Sequence, residues 1–271
     1  PTEEIFLRRF QARSAVSTPE LVAEIMAVYE AIRRLLSEEE LAKAVADQTI
    51  YALVDEIVTG SPQAPAAARL RALLGRTGLE AARQAARDLP AGLTAGFNTL
   101  NPAVITAATE LQTRVVRELS AEVRETLIQT VTDGLAAGRG PRAVAVRMVE
   151  NVGLPPHYAR AVERFRQQLE AGDRAALSRA LLRGVLEEST GAARRNAYHA
   201  GGRGLTRGQY DLLARQLGRQ PLTPHQIDTL TTSYRRRLAA WHAETLARTA
   251  ALDAQRAGQR ASWEDAIDRG V

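Results

Sequence analysis

The best candidates for a functional site, judged by residue type and spacing, are the arginines of a glycine-rich stretch, residues 190–221. This stretch holds six arginines against one acidic residue, Asp211. Guanidinium groups make paired contacts with phosphate oxygens, and a tyrosine ring can stack on an exposed base. The pattern predicts a nucleic-acid-binding segment, although it also fits a solvated loop or a loop that pairs with acids of a neighbouring subunit. The candidate nucleic-acid-binding residues are Arg194, Arg195, Arg203, Arg207, Arg215, Arg219 and Tyr198.

Charge is divided unevenly along the chain. The whole sequence has 36 basic and 31 acidic residues, a net charge of +5. Residues 1–134 carry a net charge of −4, whereas residues 135–271 carry +9. A one-sided excess of arginine points to a polyanionic partner. Because no homeodomain, zinc-finger or basic-zipper pattern is present, we expect contact with double-stranded DNA without sequence preference.

The sequence contains no catalytic or metal-binding pattern. It has no cysteine, which excludes disulfides, thiolate metal sites and a cysteine nucleophile. The four histidines are scattered and do not have the spacing of a zinc site. The glycine-rich run at 201–204 is not followed by the lysine and hydroxyl residue of a phosphate-binding loop. We therefore expect no enzyme activity, catalytic residue, metal or cofactor, and a site assembled from distant residues is the alternative.

Capping residues and apolar periodicity predict an all-α fold. Asn101 followed by Pro102 begins one long helix, and a capping box at Thr223 and Gln226 begins another. We expect an elongated helical protein with two long helices, over about 102–137 and 224–268, and short connecting helices. Within the second long helix, Gly258 is expected to be a weak point because glycine disfavours helix.

Shorter helices are predicted elsewhere from the same kinds of pattern. A capping box at residues 17–20 predicts a helix start there, followed by an apolar stripe that ends at Leu35. Acidic residues after Ser37 predict a single helix up to Gly60. Two short helices are expected over 65–75 and 77–88.

Composition divides the chain into five segments and reveals no signal peptide or membrane anchor. The segments are an acidic helical region over 1–88, a Gly/Pro hinge over 89–101, a long helix plus helical hairpin over 102–189, the basic Gly/Arg-rich segment 190–221, and a long C-terminal helix over 222–271.

A series of short motifs in the last two thirds of the chain resembles the minor head proteins of tailed bacteriophages. This head-morphogenesis family includes the phage Mu F-type protein, and the resemblance covers about residues 92–271. Its most specific part is TLART at 245–249, after which the family usually has glutamate and this chain has Ala250. The other motifs are GRGP at 138–141, AVERFR at 161–166, PLTPHQID at 221–228, YRRRL at 234–238, AGQ at 257–259 and Trp263.

The resemblance implies a virion structural protein in the head interior or at the portal vertex. Such a protein aids head assembly, associates with the portal or other head proteins, and contacts packaged DNA. We expect a homo-oligomer that is found in the host cytoplasm during assembly. One alternative is an internal virion protein ejected with the DNA, which would also contact membrane. A second is a helical protein that binds DNA without sequence preference.

Overall fold

The computed structural model describes residues 2–60, 65–87, 102–172 and 222–268. Within this described part of the chain there are eight helices and no strand, which confirms the predicted all-α fold. The helices are α1 (Thr2–Leu35), α2 (Glu38–Ala46), α3 (Ile50–Gly60), α4 (Pro65–Arg87), α5 (Pro102–Ala136), α6 (Pro141–Asn151), α7 (Pro156–Ala171) and α8 (Pro224–Asp268).

The chain forms two compact units. The larger unit comprises Pro1–Val152 together with Ala243–Val271, and the smaller unit comprises Gly153–His242. Helix α8 therefore begins in the smaller unit and ends in the larger one.

The larger unit is built around one hydrophobic core. Five of the α1 side chains that reach it lie at positions i, i+4, i+7, i+8 and i+11, which share one face of a helix. Leu35 was predicted to continue this stripe but is 52 % exposed, and the next residue, Leu36, is buried instead. The alanines of α8 allow its backbone to approach the other helices closely. Core residues on these two helices are Leu21, Ile25, Val28, Tyr29, Ile32, Ala243, Ala247, Ala250 and Ala251.

Both predicted long helices are confirmed, because α5 spans Pro102–Ala136 and α8 spans Pro224–Asp268. The short connecting helices expected after the first of them are present as α6, with 11 residues, and α7, with 16. The predicted start of the N-terminal helix was wrong. Helix α1 is 34 residues long and continues through Pro19 instead of beginning beside it. Proline has no N–H to donate, so α1 lacks one backbone bond at that point without ending there.

The predicted single helix from residue 38 to Gly60 is in fact two helices. Ser37 caps α2 as expected, since its hydroxyl accepts a hydrogen bond from the Glu40 backbone N–H at 3.4 Å. Helix α2 then ends in a Schellman motif, in which the Thr49 N–H donates to the Ala44 carbonyl at 2.9 Å. Gln48 occupies the left-handed position of this motif, with φ of 59°. Glycine usually occupies that position, which is why the break was not recognised.

Replacing Gln48 with glycine is expected to stabilise the protein by about 1 kcal/mol, because glycine adopts the left-handed conformation without the Cβ clash. The β-branched variant Gln48→Val tests the same argument in the opposite direction and should destabilise the protein. Urea unfolding followed by circular dichroism measures both. A Gln48→Gly variant no more stable than the native chain would contradict this account.

Helix α4 is continuous, so the prediction of two short helices over 65–75 and 77–88 was wrong. Its glycines lie where neighbouring helices approach. The side chain of Gln112 on α5 lies over Gly75, and the backbone of Gly258 on α8 crosses directly over Gly78. Ala82 and Ala261 pack together beside this crossing. Gly258 is therefore a point of close helix contact, where the sequence predicted a weak point.

The turn from α5 into α6 is as predicted. Gly138 adopts a left-handed conformation with φ of 69°, and Gly140 precedes α6 as its N-cap. The far end of α6 is held by Arg33 of α1. The Arg33 guanidinium donates to the carbonyls of Val149 at 3.4 Å and Val152 at 3.1 Å.

Candidate nucleic-acid interface

The predicted nucleic-acid-binding segment, residues 190–221, lies outside the described residues. The assignment of all seven candidate contact residues therefore stays a prediction. The segment belongs to the smaller unit. The described residues of that unit are 153–172, which include α7, and 222–242, which include the beginning of α8.

The start of α8 is fixed by the predicted capping box. The Thr223 N–H donates to the Gln226 side-chain oxygen at 2.9 Å, and the Gln226 N–H donates to the Thr223 hydroxyl at 3.3 Å. These reciprocal bonds satisfy donors that the first helical turn leaves without a partner. The sequence also fits a capping box at residues 206–209, which lie outside the described residues.

Helices α7 and α8 pack against each other in an antiparallel arrangement within the smaller unit. The C-terminal half of α7 packs on the start of α8, through Phe165 and Leu169 against Ile227 and Leu230. Near the beginning of α7, Val162 packs among residues that include Leu238. The Arg166 guanidinium bridges the pair of helices by binding Asp228, and it also lies 3.7 Å from Glu170.

The three consecutive arginines of α8 lie in three different environments. Arg235 is buried, with 7 % of its surface exposed, whereas Arg236 is exposed and Arg237 is half-buried. Burial lowers the pKa of the Arg237 guanidinium from its usual value. No single surface of the helix therefore presents all three.

Tyr234 lies at the seam between α7 and α8, beside two of the basic side chains. Its ring centroid is 4.6 Å from that of Phe165. Burial raises the pKa of the Tyr234 hydroxyl, while the positive charges of Arg164 and Arg237 act on it in the lowering direction. Positive charges from both helices thus act on one tyrosine hydroxyl.

A second group of rings lies further along the same seam. The Tyr158 ring centroid is 4.1 Å from that of His157, 5.6 Å from that of Trp241 and 6.1 Å from that of His242. Tyr158 and Trp241 are half-buried, His157 is exposed and His242 is buried. The smaller unit therefore has aromatic rings and arginines next to each other on residues that the structure describes.

Several exposed arginines of the smaller unit have no acidic neighbour within salt-bridge distance among the described residues. They are Arg160, Arg164 and Arg236. Sequence reasoning did not single out the two on α7. Their spacing from His157, three and then four residues, places all three on one helical face and could have indicated a basic stripe. Arg236 lies on the other helix, α8, and is not part of this stripe.

The described residues offer neither a metal site nor a membrane span. No group of three or more His, Asp or Glu side chains in the described ranges could hold a metal ion. None of the helices there is both long enough and apolar enough to cross a membrane.

No protein-family model, curated protein or solved structure matches this chain. The resemblance to phage minor head proteins therefore stays a prediction that rests on the short motifs alone. Ala250 is 5 % exposed and packs in the core of the larger unit, a position where a glutamate carboxylate would be buried.

Proposed function

We propose that this chain is a structural protein of a tailed-bacteriophage virion, a minor head or portal-associated protein that contacts packaged DNA without reading its sequence. The observation that carries the proposal is the division of charge between the two compact units. The smaller unit, Gly153–His242, has 15 arginines and 7 acidic residues, a net charge of +8. The larger unit has 21 basic and 24 acidic residues, a net charge of −3.

This division of charge supports a different partner for each unit. A unit of charge +8 attracts DNA phosphates and releases counterions when it binds them. The larger unit has a net negative charge and so offers no general attraction to DNA, which leaves its surface for contacts with portal or other head proteins. The short motifs shared with minor head proteins support the assignment to a virion.

The alternatives differ in partners and fate. A cellular protein that binds DNA without sequence preference would have the same charge division but no head or portal partner. An internal protein ejected with the DNA would leave the particle at infection. Measurements on particles separate these three cases, whereas a DNA-binding measurement tests only the contact that they share.

DNA binding by the full chain is expected to weaken steeply with salt and to depend on residues 190–221. Replacing Arg194, Arg195, Arg203 and Arg207 with alanine should reduce the slope of log affinity against log salt by about 0.9 for each phosphate that the variant no longer binds. Fluorescence anisotropy with a duplex of mixed sequence, repeated over a salt series, measures the slope.

The matched control removes the same charge from the larger unit. It replaces four arginines that are exposed there, Arg34, Arg117, Arg256 and Arg260, with alanine. The slope of this control should equal that of the native chain. Equal slopes for the two quadruple variants would remove the DNA-contact assignment of residues 190–221.

A further inference from the structure

We propose that the seam between α7 and α8 in the smaller unit presents a second DNA-binding surface, an arginine–aromatic face that grips the phosphate backbone. The proposal rests on the proposed function, because it assumes that the chain contacts DNA. The face consists of His157, Tyr158, Arg164, Tyr234, Arg237 and Trp241.

The packing of the two helices brings the arginines of this face together. Phe165 contacts Tyr234 across the seam, with ring centroids 4.6 Å apart. Arg164 follows His157 by seven residues, or two helical turns, and therefore lies on the same side of α7 as that exposed ring. Arg237 follows Tyr234 by three residues, which places it one turn further along the same side of α8. The influence of both guanidinium charges on the Tyr234 hydroxyl agrees with this placement.

Nearby acids do not neutralise the exposed member of the pair. Arg164 makes no ion pair with any residue that the structure describes. Of the acidic side chains on the described parts of α7 and α8 in this unit, Glu170 and Asp228 pair with Arg166. Glu163 accepts a hydrogen bond from Gln167 at 3.3 Å. Within the described residues, the Arg164 guanidinium thus has no acidic partner that would compete with an external anion.

The aromatic rings of the face contact one another. Tyr158 lies 5.6 Å from Trp241 in an edge-on arrangement, and the exposed ring of His157 lies against it. Half-exposed rings beside arginines suit a nucleic acid, since rings contact sugars and bases while guanidinium groups bind phosphates. A protein partner with an acidic surface would use the arginines but would have less use for the row of rings.

The test compares duplex binding by the full chain with that of two double variants of equal charge. Replacing Arg164 and Arg237 with alanine should lower the slope of log affinity against log salt by at least about 0.9, because the phosphate bound by the exposed Arg164 is no longer neutralised. The control replaces Arg236, next to Arg237 but exposed on another side of α8, together with the exposed Arg34. Its slope should stay at the native value.

The double variant removes the half-buried side chain of Arg237, which can disturb folding. A single charge reversal at Arg164 tests the face without that change. Arg164 is exposed, so Arg164→Glu should leave the helix content and melting temperature unchanged. It should lower the affinity for duplex DNA at least several-fold more than Arg236→Glu does.

The outcomes distinguish the face from the proposed function. If the native chain binds duplex DNA and the Arg164 variants behave like their controls, the face is overturned and the proposed function is unaffected. If the native chain does not bind duplex DNA at all, the proposed DNA contact fails and the face fails with it.

Discussion

Replacing Gly258 with alanine should destabilise the larger unit by about 2 kcal/mol, although alanine favours helix over glycine by about 1 kcal/mol. The reason is the crossing of α8 over α4. A Cβ atom on Gly258 would lie 3.0 Å from the amide nitrogen of Ala82 and still closer to the carbonyl oxygen of Gly78. Both are backbone atoms, which cannot turn aside as a side chain can, so the two helices must separate. Gly258→Val should cost more.

The matched control is Gly60→Ala, since a Cβ atom on Gly60 would have nothing within 4 Å. This variant should be as stable as the native chain or slightly more stable. Denaturant unfolding of the native chain and of the three variants, Gly258→Ala, Gly258→Val and Gly60→Ala, provides the comparison. A Gly258→Ala chain that gains stability, as helix propensity alone predicts, would show that α4 and α8 do not approach as described.

Replacing Arg33 with alanine is the other change expected to have a large effect, a loss of about 2 kcal/mol, because charged donors to backbone carbonyls are the stronger hydrogen bonds. Arg33 binds the carbonyls of Val149 and Val152 at the end of α6 and pairs with Glu30 at 2.7 Å. Without it, the last carbonyls of α6 lose a donor. Arg33→Lys should restore little, since one ammonium group cannot reproduce the planar guanidinium.

The neighbouring residue Arg34 provides the control for this prediction. Its side chain is 77 % exposed, and it lies 3.4 Å from the same carboxylate of Glu30. An exposed ion pair of this kind contributes little, so Arg34→Ala should change the free energy of unfolding by about 0.5 kcal/mol or less. If the Arg33 and Arg34 variants were equally stable, the contacts of Arg33 with α6 would have no energetic role.

Much of the helix pattern was predictable because caps and turns are local. Ser37, the box at Thr223 and Gln226, and the glycine turn at 138–141 act through bonds within a few residues, and the structure confirms each of them. The long helices α5 and α8 followed from those caps and from apolar periodicity.

The errors arose where the local rule and the actual conformation differ. Pro19 suggested a helix start, yet α1 continues through it. Gln48 gave no indication of a helix end, because its left-handed conformation is one that glycine usually adopts. Gly258 suggested weakness, although its lack of a side chain permits the contact with α4. Only the tertiary structure distinguishes a flexible glycine from one required by packing.

For the candidate interface, the sequence predicted a basic region but not an arrangement of side chains. The excess of arginine locates the positive charge in the second half of the chain, residues 135–271, without any structure. Arg164, Tyr234 and Arg237 come together only because α7 packs antiparallel to α8, and those helices are separated in the sequence by the basic segment itself. No periodicity within a single helix indicates such a pairing.

We propose that this chain is a fixed component of a phage head. The proposal is tested most directly by quantitative mass spectrometry of virus particles produced by the source of this sequence, comparing intact particles with particles that have released their DNA. We predict that the chain is present at the same low copy number in both. Loss of the chain with the DNA would identify an ejected internal protein instead, and absence of the chain from both kinds of particle would contradict any role in the virion.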